Sequence, residues 1–220
     1  MKLRSPGDAP LFCVASLFLL PITLVGQKPV SHVRAVRLSY VSGTVAVKRP
    51  GAAEWAKALV NAPIREGFQI STSADSFAEV EFENGSTARL GELCQLTFDQ
   101  LALDAEGDKL NRMAFEQGYA TFHFLPENRD AYSVKIADAT LTPRGKSLFR
   151  TDLEEGHVRV EVFKGSVQIV APSGSAKLGK DKILEYNTGT VEVAFSTRQG
   201  IIKDSWDKRR EHRIRKRAWR

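Results

Sequence analysis

The feature that most constrains the fold of this chain is an alternation of apolar and polar residues on both sides of an Asn-Gly pair at 84–85. In residues 77–83, Ala78, Val80 and Phe82 share one face and three glutamates share the other, as in a strand with one buried face. A second alternating segment, 86–90, follows directly. Asn-Gly between two such segments predicts a β-hairpin with a type I′ turn, because both residues tolerate positive φ.

The same period of two recurs between residues 38 and 195, with turns rich in Gly, Pro or Asn between the segments. About a dozen short strands without an intervening helical stretch predict an all-β fold, either an elongated twisted β-sandwich or a short β-solenoid of stacked hairpins. Segments 43–50 and 165–172 share Gly, Ser or Thr, Val and Pro at matching offsets. This likeness indicates either an internal repeat or the general similarity of two strand-and-turn segments.

Residues 1–26 have the pattern of a secretory signal peptide: Lys2 and Arg4, then an apolar run at 11–26 that contains Pro21. Sixteen residues of helix span roughly 24 Å, less than the ~30 Å hydrocarbon core of a bilayer. We therefore expect export, with cleavage after Gly26 or retention as an N-terminal anchor, and a periplasmic or extracellular location. A linker is expected at 27–37, a β domain at 38–195, and a basic C-terminal helix at 196–220.

Composition and motifs offer little sign of catalysis. Hydrophobic residues at 42% and charged residues at 26% fit a globular domain and exclude a disordered or polytopic membrane chain. Beyond the signal the one cysteine is Cys94, which alternates with Leu96 and Phe98 and is interpreted as a buried apolar side chain, or as a reactive thiol. His123 is predicted to point outward from a strand, and the pairs Glu79/Glu81 and Glu154/Glu155 to be solvated charge. We expect no catalytic residue, metal or cofactor.

Several of these segments together resemble the FecR domain, an extracytoplasmic β domain. The residues that carry the resemblance are 43–45, Trp55, Gly67, Ser71-Thr72, 78–82, 84–86 and 89–91, then 118–120, Val134, Thr142-Pro143 and 160–167. The resemblance implies a periplasmic or cell-surface domain, which in the founding members relays a signal between an outer-membrane transporter and a sigma factor. Only about ten residues precede the apolar run, so we do not expect a cytoplasmic sigma-binding segment here.

The positive charge of the chain is concentrated at its end. Residues 203–220 contain nine Lys or Arg and three acidic residues, whereas residues 27–202 carry a net charge of −1. Ile202, Trp206, Ile214 and Ala218 recur with Arg210 at intervals of four, which predicts a surface helix with a narrow apolar stripe. This tail is expected to contact anionic lipid or polysaccharide, or simply to be solvated. Export makes nucleic acid an unexpected partner.

Three functional hypotheses follow. The first is an exported, non-catalytic protein-interaction module of the cell envelope, in signalling or assembly, that binds an envelope protein. The second is a carbohydrate- or anionic-polymer-binding module, which requires an exposed aromatic platform at Trp55 or around Tyr119 and Tyr132. The third is a hydrolase, which requires ionisable groups that converge in a pocket. The candidate interaction residues are Trp55, Trp206, Arg209, Arg210, Arg213 and Arg215.

Overall fold

The computed structural model describes residues 34–127, 129–172, 174–188 and the backbone of 194–196. These residues form β-strands and turns, which confirms the all-β prediction. The predicted basic helix at 196–220 and the predicted signal peptide lie outside the described residues. The strands are β1 Val36–Ser42, β2 Val45–Lys48, β3 Ala56–Lys57, β4 Pro63–Ile64, β5 Gln69–Thr72, β6 Phe77–Glu81, β7 Thr87–Leu90, β8 Gln95–Leu103, β9 Lys109–Phe124, β10 Ala131–Ile136, β11 Ala139–Pro143, β12 Ser147–Glu154, β13 His157–Lys164, β14 Ser166–Ala171, β15 Gly174–Gly179, β16 Lys182–Asn187 and β17 Ala194–Ser196.

All 17 strands join in one open sheet that divides into two ladders. Ladder A has the order β4-β1-β6-β7-β9-β12-β13-β16-β17, and ladder B has the order β3-β2-β5-β8-β9-β10-β11-β14-β15. Among these described pairings only β9 with β10 is parallel. The 16-residue strand β9 belongs to both ladders.

Side chains from both ladders meet in one hydrophobic core. Val80 and Phe122 of ladder A belong to the same buried cluster as Leu96, Val134 and Leu141 of ladder B. Aromatic rings fill its centre: the Phe124 and Tyr132 rings stack at 4.4 Å, and Phe122 and Phe149 at 5.3 Å between centroids. Strands such as β5, β6 and β10 therefore alternate between this core and solvent, as their sequence period requires, whereas β7 is buried at all four positions.

The chain passes from one ladder to the other at residues with positive φ, and most of these form two rows. Two further passages, β3 to β4 at Asn61 and β4 to β5 at Gly67, with φ of 66° and 75°, lie outside these rows. Gly43, Asp75, Leu93 and Gly118, with φ of 73°, 52°, 49° and 84°, form the first corner row. The register places them together, since Ser42 pairs with Phe77, Ala78 with Leu90, and Leu90 with Ala120. The second corner row is Gly145, Gly165 and Asp181, with φ of 75°, 74° and 59°.

The two corner rows lie on opposite sides of the ladders. On β9, Gly118 pairs with Leu153, whereas Phe124, at the far end of the strand, pairs with Ser147, which follows Gly145. The N-terminal half is consequently closed on the Gly118 side and the C-terminal half on the opposite side. Each half therefore has one side that carries no corner row, although in the N-terminal half the β4–β5 passage at Gly67 joins the ladders on that side.

The segments 43–50 and 165–172 occupy equivalent places. Each begins with a glycine of φ 73° or 74° that leads the chain from ladder A to ladder B. The carbonyl of the next residue then accepts a hydrogen bond from the neighbouring corner: Ser73 N–H to Thr44 O at 3.1 Å, and Arg144 N–H to Ser166 O at 2.9 Å. The predicted likeness is therefore a likeness of position in the fold.

The hairpin at 84–85 is confirmed, with Glu81 paired to Thr87, but the predicted type I′ turn is wrong. Gly85 has a φ of 76°, while Asn84 is not among the positive-φ residues. The Gly85 amide donates to Phe82 O and the Phe82 amide to Ser86 O, a type I turn followed by a glycine bulge. The Asn84 side chain is held by Leu125 O and the Ser86 amide, which keeps its backbone in the ordinary region.

Candidate functional site: an acidic groove

On the side of the N-terminal half away from Gly118, one arginine side chain bridges the two ladders. Arg34 donates from Nε and Nη2 to the Glu83 carboxylate at 2.6 and 3.1 Å, and from Nη2 to Asn111 Oδ1 at 2.7 Å. Its Nη1 donates to the carbonyl of Ala102 at 2.8 Å. Glu83 follows a strand of ladder A, whereas Ala102 and Asn111 belong to ladder B, so this set, the Arg34 clasp, joins the two ladders.

The electrostatics of the Arg34 clasp fit a closed, structural contact. The Arg34 side chain is 7% exposed and that of Glu83 is 20% exposed. Burial by itself would raise the pKa of Glu83, but the hydrogen bonds and the charge of Arg34 outweigh it and lower that pKa below its ordinary value. The carboxylate is thus ionised and paired with Arg34.

On the Gly118 side, where the C-terminal half carries no corner row, lies a groove of about 1000 Å³. Turns from both ladders border it, at the ends of β10 and β12, and the Gly118 crossing closes its inner end. We call it the acidic groove because six of its lining residues are carboxylates and none is Lys, Arg or His. Its lining residues are Glu92, Leu93, Glu116, Gln117, Gly118, Tyr119, Ala137, Asp138, Asp152, Leu153, Glu154, Glu155, Gly156 and Thr188.

These carboxylates differ in how they are engaged. Glu116 accepts hydrogen bonds from Gln95 Nε2 and, at 2.6 Å, from Thr97 Oγ1. Glu92 accepts from the amide of Asp75 at 3.0 Å. Glu154 and Glu155 are exposed and have no ion-pair partner in the part of the chain that the structure describes. Two carboxylates at the rim are therefore available to a cation from outside the described domain.

One arginine lies beside the groove, and its guanidinium group is already engaged by Asp152 and Tyr119. Arg150 contacts the Asp152 carboxylate at 2.8 Å, and its guanidinium lies 4.0 Å above the centroid of the Tyr119 ring. The cation–π contact fixes both side chains at the wall. Arg150 thus compensates Asp152 but leaves the carboxylates of the 154–155 turn without a counter-ion.

A buried hydroxyl lies beside Asp138, one of the carboxylates that line the groove. Tyr186 is 6% exposed, and its hydroxyl faces Asp138 without a hydrogen bond of standard geometry. Burial first, and then the Asp138 carboxylate, raises the pKa of Tyr186 above its usual value. Nearby on ladder B, burial and then the charge of Glu116 raise the pKa of Asp99. In both groups burial is the larger cause of the raised pKa, and a neighbouring carboxylate adds to it.

The floor and one wall of the groove are apolar. Leu93 occupies a corner position at φ 49° and is 56% exposed, which is unusual for a leucine. Leu153 and Ala137 are half-buried beside the hydrophobic core. An apolar floor beneath a carboxylate rim suits an amphipathic, cationic segment better than a small anion or a metal ion.

The structure places the predicted interaction residues as follows. Trp55 is 39% exposed, with Lys48 Nζ 6.0 Å from its ring centroid, and borders a separate cleft of about 400 Å³. Tyr132 is only 3% exposed and packs on Phe124, so it is not part of an exposed aromatic platform, and Tyr119 is half-buried under Arg150. Trp206, Arg209, Arg210, Arg213 and Arg215 lie outside the described residues.

Cys94 and His123 lie as the sequence predicts, whereas the glutamates of β6 do not. Cys94 is a free, buried thiol, and burial raises its pKa far above the usual range, so the interpretation as a buried apolar side chain is confirmed. His123 is half-buried between two buried phenylalanines, as predicted for an outward residue. Glu79 is not simply solvated: its carboxylate lies 3.3 Å from Nε of Arg89, a side chain that is 2% exposed, and Glu81 pairs with Arg37 at 2.6 Å.

The acidic groove has no single local signature in the sequence, because its carboxylates come from four separate segments. Glu92, Glu116 and Asp138 are more than twenty residues apart in sequence, so no local motif joins them. The one local signal was Glu154-Glu155-Gly156, which was interpreted as a turn. Within the described ranges there is no group of three His, Cys, Asp or Glu side chains that could bind a metal ion. Those ranges also contain no helix with the length and hydropathy of a membrane span.

Two ladders around one core, with positive-φ corners and an acidic groove, define a layered all-β domain. The FecR protein family matches residues 68–168. This range includes residues of both corner rows and most of the residues that line the groove. The match at these residues confirms the resemblance to the FecR domain. No curated protein matches this chain.

Solved structures show the same fold. Two crystal structures, at 2.50 and 1.65 Å resolution, of a proposed anti-sigma factor from Parabacteroides distasonis ATCC 8503 are similar to this chain, with TM-scores of 0.51 and 0.50 at 16% sequence identity. In each case the similarity covers 60% of this chain and 60% of that chain. The likeness therefore concerns three-fifths of that protein and supports a common fold.

Proposed function

We propose that this chain is an exported, non-catalytic interaction module of the cell envelope that acts in signalling or regulation by binding another protein. The FecR match and the likeness to a proposed anti-sigma factor support a regulatory role. The pattern of residues 1–26 supports a periplasmic or extracellular location, with an N-terminal anchor if the signal is retained. The partner in this proposal is an envelope protein.

The observation that carries the proposal is the acidic groove. Its carboxylate rim at Asp138, Glu154 and Glu155 and its apolar floor at Leu93 and Leu153 would accept a positively charged, amphipathic segment. Charged pairs at such a rim set association rate and selectivity, while apolar contacts on the floor supply affinity. The described groups offer little to catalysis, because the Cys94 thiol is protonated and buried.

A second candidate is binding of carbohydrate or an anionic surface polymer, through Trp55 and the basic tail. The observation that favours it is the exposure of Trp55 beside Lys48 and its 400 Å³ cleft. An exposed indole can stack on a sugar, and the neighbouring ammonium group can pair with an acidic substituent. Tyr132 contributes nothing to this surface because it is buried.

The two candidates are separated by crosslinking capture from the cell envelope with three full-length proteins: the wild type, Glu154→Lys/Glu155→Lys and Trp55→Ala. We expect a discrete envelope protein to be captured by the wild type and by Trp55→Ala, and to be lost with the groove variant. Capture lost only with Trp55→Ala, together with retention of polysaccharide by the wild type, would support the second candidate. Equal capture by all three proteins would contradict a role for the groove.

A further inference from the structure

The two sides of the domain that carry no corner row differ in charge compensation. In the N-terminal half, Arg34 crosses the gap between the ladders and pairs with Glu83. In the C-terminal half, Glu154 and Glu155 lie at the gap, and no described lysine or arginine crosses it. The second side therefore has the carboxylates of such a contact without its cation.

The chain contains a segment with the missing charge. Nine of the eighteen residues at 203–220 are Lys or Arg, against three acids, whereas residues 27–202 as a whole carry a net charge of −1. The apolar positions Ile202, Trp206 and Ile214 of this segment share one side of a helical projection, next to the basic residues. An apolar stripe with basic flanks complements the floor and rim of the acidic groove.

The last described strand shows that this segment can reach the groove. β17 is antiparallel to β16, with Ser196 opposite Ile183, and β16 ends next to Thr188 in the groove wall. The return distance along β16 from Ile183 to Thr188 is five residues, about 17 Å at ~3.4 Å per residue. The chain must reverse after Ser196, and the six residues at 197–202 cover about 20 Å when extended, so Trp206 and the arginines that follow it are within reach of the groove.

We propose that residues 203–220 bind the acidic groove of the same molecule, with arginine guanidinium groups paired to Asp138, Glu154 and Glu155 and with Trp206 on the Leu93 floor. The cations of the tail then compensate the carboxylates of the groove, as Arg34 compensates Glu83. A protein partner reaches the groove only after the tail is displaced. This last consequence rests on the function proposed above, whereas the tail contact itself does not.

The test is photo-crosslinking within the full chain, with benzoylphenylalanine in place of Trp206. We expect adducts that map to residues 92–93, 117–119 and 153–156, and a yield per molecule that is independent of protein concentration. Glu154→Lys/Glu155→Lys should lower this yield at least fivefold, and the added reversal Arg209→Glu/Arg210→Glu/Arg213→Glu/Arg215→Glu should restore it. The matched control Glu54→Lys/Glu106→Lys, at exposed carboxylates away from the groove, should leave the yield unchanged.

Three results would overturn the proposal. The first is a set of adducts at other residues. The second is a yield that rises with concentration, which means contact between molecules. The third is an absence of groove adducts in buffer, together with lipid adducts on phosphatidylglycerol vesicles, which means a membrane-bound tail. If a groove variant does not fold, the tail reversal alone, which leaves the β domain untouched, must give the same loss.

The capture experiment described for the proposed function tests the interaction function independently of the tail contact. Groove adducts without any captured protein would retain the tail contact and reject the interaction function. Captured protein without groove adducts would support the interaction function and reject the tail contact. If both hold, the tail reversal should increase capture by the wild-type groove, because the competing segment has lost its charge.

Discussion

The guanidinium group of Arg34 binds both oxygens of the Glu83 carboxylate and, through its remaining donors, two groups of the opposite ladder. Such a fork places two parallel hydrogen bonds on one carboxylate and fixes its orientation. The contact spans 49 residues in sequence and joins the first described residue to the hairpin turn. One side chain thus connects the edges of both ladders in the N-terminal half.

Replacing Arg34 with Gln should destabilise the domain by about 2–3 kcal/mol at neutral pH, because a half-buried carboxylate loses its charged partner. The lowered pKa of Glu83 contributes stability above its ordinary value of 4.5, and this contribution is lost as the pH falls through the folded-state pKa. The difference between the two proteins should therefore shrink as the pH falls below about 4.5. Denaturant unfolding at several pH values measures it.

The matched control for Arg34 is Arg112→Gln, at an exposed position of β9. It should change the free energy of unfolding by less than about 0.5 kcal/mol at any pH. A difference between Arg34→Gln and wild type that stays constant from pH 7 to pH 3 would show that Glu83 does not respond to Arg34 in the folded state.

Gly118→Ala should be among the most destabilising single substitutions. A Cβ at this position would lie 2.6 Å from the carbonyl oxygen of Leu93 and 2.7 Å from Cα of Cys94, and φ is +84°. Gly107 has a similar φ of +87° but nothing within 4 Å of its Cβ position. Gly107→Ala should therefore lower the free energy of unfolding by about 1 kcal/mol, the cost of a positive φ for alanine. Gly118→Ala should lower it by at least twice as much, because the steric contacts add to that cost.

Thermal unfolding of the two glycine variants measures the difference. Because both glycines have nearly the same φ, the comparison isolates the contact between the β9 crossing and the Leu93 corner. Equal melting temperatures for the two variants would mean that the first corner row is not tightly packed at Gly118.

The Cys94 thiol should resist alkylation in the folded protein. It is 1% exposed, and burial raises its pKa, which removes both access and the reactive thiolate. We expect iodoacetamide to modify Cys94 at least about a hundredfold more slowly in buffer than in denaturant. Mass spectrometry of the peptide that contains residue 94 measures this. Rapid labelling in buffer, with the circular dichroism spectrum unchanged, would contradict a closed core at this strand.

Trp55→Ala should leave the fold intact, with a change in unfolding free energy of less than about 1 kcal/mol, because its side chain is exposed. Phe124→Ala, which removes a ring stacked at 4.4 Å on Tyr132 in the fully buried core, should cost about 3–5 kcal/mol. Denaturant titration followed by circular dichroism compares them. A loss of several kcal/mol for Trp55→Ala would identify this residue as a structural cap instead of a binding residue.

The sequence alone predicts the strands well, because the alternation of apolar and polar residues is visible within a strand's own sequence. Ala78, Val80 and Phe82 are buried as the alternation requires, and Cys94 lies in phase with Leu96 and Phe98. It predicts turn geometry less well. Asn84-Gly85 was expected to form a type I′ turn, yet both residues have positive φ at Glu155-Gly156, 47° and 79°, where no Asn is present.

The acidic groove and the Arg34 clasp cannot be predicted from the sequence, and the reason differs from that for the turns. Their residues are joined by the order of strands in the ladders, which depends on pairings between distant segments. Arg34 lies 77 residues from Asn111, and Glu92 lies 62 residues before Glu154. Alternation specifies which face a residue occupies but not which strand is its neighbour.

The two-ladder arrangement makes each layer depend only on the layers beside it. A layer is one strand of ladder A and one of ladder B joined at a corner, and the described pairings connect adjacent layers. Cooperativity in such an array is passed from neighbour to neighbour, as in a repeat protein. Spontaneous opening then costs least at the short terminal strands β3, β4 and β17 and most at β9. In hydrogen exchange, amide protection should rise from both ends of the array towards that shared central strand.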